Sequence, residues 1–240
     1  QNVARAAGTV GEALAAGATS LAVLELPAAL ALREAGVTAP LFAWLHGVHT
    51  DFLSASTHDI DLGISARWQI DSIVASHPER PVRIHLKVDT GLHRNGATQE
   101  DWPELVTAAL DAEKSGAVIL RAAWSHLADT TPKDDAQALA RFQEALAVAE
   151  ELGATFPLTH LAASSAGIRM PDARLDFVRF GIAAYGISPF DDIDGRGLGL
   201  IPVMSLTTTV TEVDPQRGTA TIGIGFGDGI AAAALPKAEV

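Results

Sequence analysis

Short apolar runs alternate with longer Ala-rich stretches of helical period along most of the chain. The runs at 21–24, 40–45, 60–64, 82–89, 117–125, 158–162 and 177–180 predict strands, and the stretches at 26–36, 66–76, 101–115, 133–152 and 164–169 predict helices. Gly36, Gly116 and Gly153 stand just past three of these helices, where helices usually stop. Strand followed by helix, repeated five or six times, is the mark of a parallel sheet, either doubly wound or closed as a barrel.

The run 82–89 chooses between them. Its period of two puts Val82, Ile84, Leu86 and Val88 on one face and Arg83, His85, Lys87 and Asp89 on the other. A central strand of a doubly wound sheet is covered by helices on both faces and reads apolar on both. A barrel strand can point a polar row inward, towards a mouth where active sites are built. An edge strand with one wet face is the plain alternative. The barrel accounts for more of the chain, so the expected fold is a (β/α)8 TIM-like barrel over residues 1–200. From about 201 the pattern changes: 203–213 and 219–225 are rich in Thr and Val with no helix between, which predicts the start of a mainly-β C-terminal domain over 201–240.

Composition narrows the function classes. The 240 residues carry 17 Lys+Arg against 29 Asp+Glu, a net charge of −12, and the mean hydropathy is +0.21. Such a chain can bury a large core, and its acidity argues against broad nucleic-acid binding. No run reaches the length of a membrane span, and no leader is recognisable. The absence of cysteine removes disulfides, thiolate metal sites and cysteine nucleophiles. A cytoplasmic protein without a metal is the expectation.

Four clusters follow predicted strands: 87–96 (KVDTGLHRNG), 124–128 (WSHLA), 160–166 (HLAASSA) and 178–186 (VRFGIAAYG). Ser164 and Ser165 open a helix and could hold an anion with its first amides, or Ser164 could simply be an N-cap. Arg179 could present a planar cation beside the flexible Gly181, or pair with an acid. His126 ends an apolar strand, where a lone histidine is more often a satisfied core residue. Lys87 needs a partner or a task if buried, and Asp89 is its neighbour.

These stretches, with 28–38 and 223–229 (GIGFGDG), resemble the alanine racemases in order and over nearly the whole chain. The resemblance implies a pyridoxal-5′-phosphate (PLP) enzyme that interconverts L-alanine and D-alanine for peptidoglycan, acting as a head-to-tail homodimer. It assigns Arg179 to the pyridine nitrogen, where a cation that keeps its proton would leave the ring a weak electron sink. Ser164 with the Gly181 and Ile182 amides would hold the phosphate, and His126 would stack on the ring. Arg94 would reach the phenolic oxygen and the substrate carboxylate, and Lys87 matches a position that is often carbamylated.

The departures are as informative. The family's Schiff-base lysine and catalytic tyrosine lie in stretches absent from this sequence. Its lysines are Lys87, Lys114, Lys133 and Lys237, its one tyrosine is Tyr185, and none stands in the required context. The gaps fall between Gly8 and Thr9 and between 214–217 and 218–225, so the sequence predicts a first helix and a second one abutting at Gly8, with no lysine-bearing strand between. As it stands, the chain would be inactive. Ala163 replaces an asparagine that often precedes the phosphate serine, and Phe226 a tyrosine. A racemase of broader specificity shares all these features, as does a non-catalytic PLP-binding relative, although residues 203–229 argue against the single-domain barrel carriers of the cofactor.

Overall fold

The computed structural model describes residues 2–230, so Lys237 and the end of the predicted 201–240 domain lie outside the described residues. The chain divides into two compact units, Gln1–Ala183 and Ala184–Val240, whereas the sequence pattern places the boundary near 200.

The first unit begins with α1 (Asn2–Ala15), a single helix through the Gly8–Thr9 junction where two were expected. One glycine in a helix costs only about 1 kcal/mol and Ala-rich turns flank it, so nothing there stops the helix. There follow β1 (Leu21–Val23), α2 (Leu26–Glu34), β2 (Leu41–Ala43), α3 (Phe52–Thr57), β3 (Ile60–Ile64), α4 (Arg67–Ala75), β4 (Val82–Lys87), α5 (Trp102–Lys114), β5 (Val118–Trp124), α6 (Pro132–Glu151), β6 (Leu158–His160) and α7 (Ser164–Arg169). The three predicted glycine stops hold: Gly36, Gly116 and Gly153 each follow a helix with positive φ. The short α3 has too little sequence to show a period. It is held by Asp51, whose carboxylate accepts from the Ser54 amide and hydroxyl, and it buries Phe52 and Ala55.

The six strands are parallel and lie in chain order, β1 to β6, with no reversal of direction across the sheet. A doubly wound sheet requires a switch in strand order; its absence puts the crossover helices on one face, as in a barrel wall. The sheet also curls strongly. In a flat sheet β2 and β6 would stand about 19 Å apart, four strand spacings. Yet the rings of Phe42 on β2 and His160 on β6 are 5.5 Å apart. Outward residues Leu62, Ile84, Leu86, Val118 and Leu120 pack with Ile70, Ile73, Trp102 and Leu105 of the helices in one core. Trp102 is buried there, and its indole N–H donates to the Ala145 carbonyl at 2.7 Å, tying α5 to α6.

The strand predicted at 177–180 is reduced to one parallel bridge between Phe177 and His160. The Asp176 and Arg179 amides still donate to Thr159 and Ala162, so the segment runs beside β6 without a regular ladder. Among the described residues no helix is long and apolar enough to cross a membrane.

In the second unit β7 (Val210–Asp214) and β8 (Thr219–Ile222) form an antiparallel hairpin. Asp214 accepts from the Gln216 and Arg217 amides in its turn. The expected strand at 203–213 forms only from Val210: residues before it have no pairing strand among the described residues, and Ile201, Val203, Met204 and Leu206 are exposed.

Candidate active site

The inward face of the curled sheet is unlike the outward one. Phe42 and Trp44 follow from β2, Asp61 and Gly63 from β3, Arg83, His85 and Lys87 from β4, Trp124 from β5 and His160 from β6. Their rings form a layer: Phe42 stacks on His85 at 4.5 Å between centroids, and Trp124 stacks on His160 at 5.4 Å. Gly63 makes room for it, since a Cβ there would stand 2.9 Å from that of Trp44. A polar inward face on a central strand, paired on both sides by β3 and β5, rules out the wet-edge alternative for β4.

Lys87 is buried at 1 % exposure within this layer. Its ammonium lies over the rings of Trp124 and Trp44, 4.5 and 5.7 Å from their centroids, and donates to the Asn95 side-chain oxygen. Burial, then the charges of Arg94 and Arg179, lowers its pKa from 10.5 to about 7. Asp89 is not its hydrogen-bonding partner, contrary to what adjacency suggested. β4 ends at Lys87, and the Asp89 carboxylate is engaged by the Gly91 and His93 amides and the His93 ring. The loop 89–96 returns to β4 because Gly96 takes φ of +113° and a Cβ there would stand 2.9 Å from the Asp89 nitrogen. That return brings Asn95 to Lys87 and Arg94 over Trp44, its guanidinium carbon 5.1 Å from the ring centroid.

Arg179 reaches into the same layer, 5.2 Å from the Trp124 ring. No carboxylate pairs with it among the described residues. Its Nη2 donates to the Ser125 and Leu161 carbonyls at 2.7 and 2.9 Å and meets His126 Nδ1 at 3.2 Å, while Nη1 meets His160 Nδ1 at 2.6 Å. Burial, then Arg94, lowers its pKa to about 10, so it stays cationic at neutral pH. Burial and the cations Arg179, Arg94 and Lys87 push His126 down to about 4, which leaves it neutral. His126 is therefore no isolated core histidine.

Ser164 is buried, and it is not the N-cap of α7; Ala163 holds that place without a side-chain bond. The Ser164 hydroxyl oxygen instead accepts from the Gly181 and Ala183 amides at 3.1 and 3.3 Å. The Ile182 amide between them has no hydrogen-bond partner among the described residues. The predicted residues Lys87, Arg94, His126 and Arg179 thus come together around Trp124 and Trp44, and Ser164, Gly181 and Ile182 form an adjoining notch. Lys114 and Lys133 are exposed on helices, and Tyr185 and Phe226 are exposed in the second unit. Sequence reasoning passed over Trp44 and Asp61, and it gave no role to Trp124 and Asn95 although both stand in the clusters 124–128 and 87–96. The alternation of β2 and β3 was the signal that could have found the first two.

Residues 4–189 match the family model described as the alanine racemase N-terminal domain. The chain is 37% identical to the alanine racemase of Thermobifida fusca over 95% of this chain and 66% of that protein. It is 42% identical to that of Salinispora arenicola over 85% and 56%. Among solved structures, the alanine racemase from Streptomyces lavendulae superposes with a TM-score of 0.79 at 34% identity, covering 90% of this chain and 60% of the other. The chain thus spans between half and two thirds of the length of these relatives.

Proposed function

Because this chain belongs to the alanine racemase family, we propose that its barrel is the PLP-binding unit of an alanine racemase. The observation that carries the reading is the convergence of Arg179, His126 and the Ser164 notch at the strand ends of one curled sheet.

The side chains fit most of the cofactor. Ser164 with the free Ile182 amide suits a phosphate, the Arg179 guanidinium suits the ring nitrogen, and His126, neutral, suits the ring face. The buried Trp124 indole N–H has no partner among the described residues, an orphan donor that a bound polar ligand would satisfy. When bound, PLP supplies an electron-withdrawing ring that acidifies the Cα–H of an amino acid joined to it. Arg94 would bind the substrate carboxylate, and Arg179 would keep its own proton rather than give one to the ring. Lys87, an amine neutral above about pH 7, would take up carbon dioxide: an N–C bond forms, a proton leaves, and the resulting anion would pair with Arg94, whose charge already acts on Lys87. The covalent partner of the cofactor is the misfit. Among the described residues Lys87 is the only buried lysine, and it lies outside the family's lysine context.

We read the biological role as supply of D-alanine for peptidoglycan in the cytoplasm, by a homodimer. A broader amino-acid racemase shares this site. A non-catalytic PLP binder is the second reading, favoured by the missing lysine. Titrating the chain with PLP while following quenching of tryptophan fluorescence tests the proposal. Saturable binding that inorganic phosphate competes and that Arg179→Ala weakens is expected; absence of binding would overturn it. Chiral analysis of L-alanine incubated with the loaded protein then separates racemase from binder.

A further inference from the structure

Arg179 is held by a chain of side chains that runs away from the cofactor notch, through the middle of the inward face. Arg179 Nη1 meets His160 Nδ1 at 2.6 Å, His160 Nε2 meets His85 Nδ1 at 3.0 Å, and His85 Nε2 meets Asp61 Oδ2 at 3.1 Å. Asp61 Oδ1 in turn accepts from Arg83 Nε at 2.5 Å. Both imidazoles are buried and stacked, His85 on Phe42 and His160 on Trp124, which fixes their ring planes.

The two ends of this chain decide where every proton lies. A guanidinium only donates and a carboxylate only accepts. Arg179 therefore requires a bare Nδ1 on His160. A neutral His160 then carries its proton on Nε2 and donates to His85 Nδ1. His85, bare at Nδ1, carries its proton on Nε2 and donates to Asp61. Burial keeps both rings neutral by lowering their pKa, despite the raising effect of Asp61 on His85; Arg121 and Arg83 also face His85 and act in the same direction as burial. The His85 and Arg83 hydrogen bonds outweigh burial and hold Asp61 ionised.

We propose that Asp61 and His85 are positioning residues for Arg179: a one-way series of hydrogen bonds, Arg179 to His160 to His85 to Asp61, fixes both imidazoles as Nε2–H tautomers and secures one edge of the guanidinium. Its Nη2 hydrogens are taken by Ser125 and Leu161 and shared with His126, so the series leaves Nε–H and one Nη1–H for a ligand. The benefit to PLP rests on the role given to Arg179 above; the tautomers do not.

The isosteric change Asp61→Asn is the sharp test. Arg83 still needs an acceptor, so the oxygen of the new side-chain amide stays with Arg83 and its nitrogen turns to His85. His85 must then be bare at Nε2 and protonated at Nδ1, His160 follows, and its Nδ1–H confronts the Arg179 N–H. Removing the constraint in Asp61→Asn/Arg83→Met lets the amide turn its oxygen to His85 and restores the direction. The readout is the ring-nitrogen spectrum of histidine-labelled protein without PLP at neutral pH. Nε2–H tautomers for His85 and His160 in the unaltered protein, inversion in Asp61→Asn and return in the double variant are expected. PLP affinity should fall about tenfold in the single variant, the cost of one lost charged hydrogen bond, and recover in the double.

A series that merely filled space would leave the tautomers unmoved by an isosteric change. Nδ1–H or mixed tautomers in the unaltered protein would overturn the proposal, whether or not any variant folds. The expected tautomers in a protein that binds no PLP would uphold the series and overturn the cofactor reading instead.

Discussion

Val82, Ile84 and Leu86 point out from β4 to the helices, while Arg83, His85 and Lys87 point in, and one backbone ladder holds all six. The outward set needs nothing more than shape and apolarity, since each side chain gains by leaving water. The inward set loses by leaving water and stays only because each polar group finds a partner: Arg83 has Asp59 and Asp61, His85 has Asp61 and His160, Lys87 has Asn95 and two indole faces. One face stabilises the fold, and the other draws on that stability to keep charged groups dry. Removing the buried Lys87 ammonium should therefore stabilise where truncating an outward side chain destabilises, whereas breaking a satisfied ion pair such as Arg83 with Asp61 should destabilise.

The largest contrast is at Lys87. Folding lowers its pKa from 10.5 to about 7, so as pH falls between those values the unfolded chain takes up a proton that the folded chain refuses, and the folded state loses ground. Below about pH 7 the penalty is constant. Each pKa unit is worth about 1.4 kcal/mol, which sets an upper bound of about 5 kcal/mol. Lys87→Met should accordingly stabilise the protein at about pH 6 by several kcal/mol, about 5 at most, with the gain fading by about pH 10. Urea denaturation in carbonate-free buffer at the two pH values measures it. A gain that did not change with pH would remove the buried charge as its cause.

The outward face gives the opposite sign. Trp102 is almost wholly enclosed between α5 and α6. Trp102→Ala leaves a cavity and removes the indole hydrogen bond that ties α5 to α6, and should cost about 3–5 kcal/mol of unfolding free energy by denaturant titration, independent of pH.

The two faces were not equally legible in the sequence. The outward face declares itself by period alone, which is why the barrel, the helix stops and the β4 alternation are readable. The inward face depends on which strands curl round to meet. Asp61 is one acid among 29 until the curl brings His85 to it, and Phe42 and His160, far apart in the chain, share one layer. Position at the ends of predicted strands singled out Lys87, His126, Ser164 and Arg179, and the family resemblance gave them roles and added Arg94; alternation by itself marked only Lys87 and its β4 neighbours. The segment 177–180 reads as a strand because it is apolar, but its amides find only the edge of β6 to pair with.

Ser164 tests the junction of the two regimes, since it is buried yet serves the notch. Ser164→Ala removes the acceptor of the Gly181 and Ala183 amides, with a cost of about 1–3 kcal/mol. Affinity for inorganic phosphate, read by competition with PLP, should fall with it. A loss of stability with unaltered phosphate competition would confine the hydroxyl to holding the backbone.

The smallest effect is expected on the solvent side of the helices, the third environment that the same chain builds. Arg67 on α4 meets Glu104 on α5 at 3.0 Å and Asp71 one turn away, with every partner more than half exposed. Water already solvates these charges well, so their attraction barely exceeds the entropy lost in ordering two long side chains. Arg67→Ala should change stability by about 0.5 kcal/mol or less at low salt and by nothing measurable in high salt. The same pairing geometry on the inward face, Arg83 with Asp61, is half-screened from water and holds one end of a hydrogen-bonded series. Arg83→Ala should therefore cost more than Arg67→Ala and keep most of its effect at high salt. Equal, salt-sensitive losses at both positions would mean that curling the sheet does not change the environment of its charges, and the contrast between the faces would fail at its weakest point.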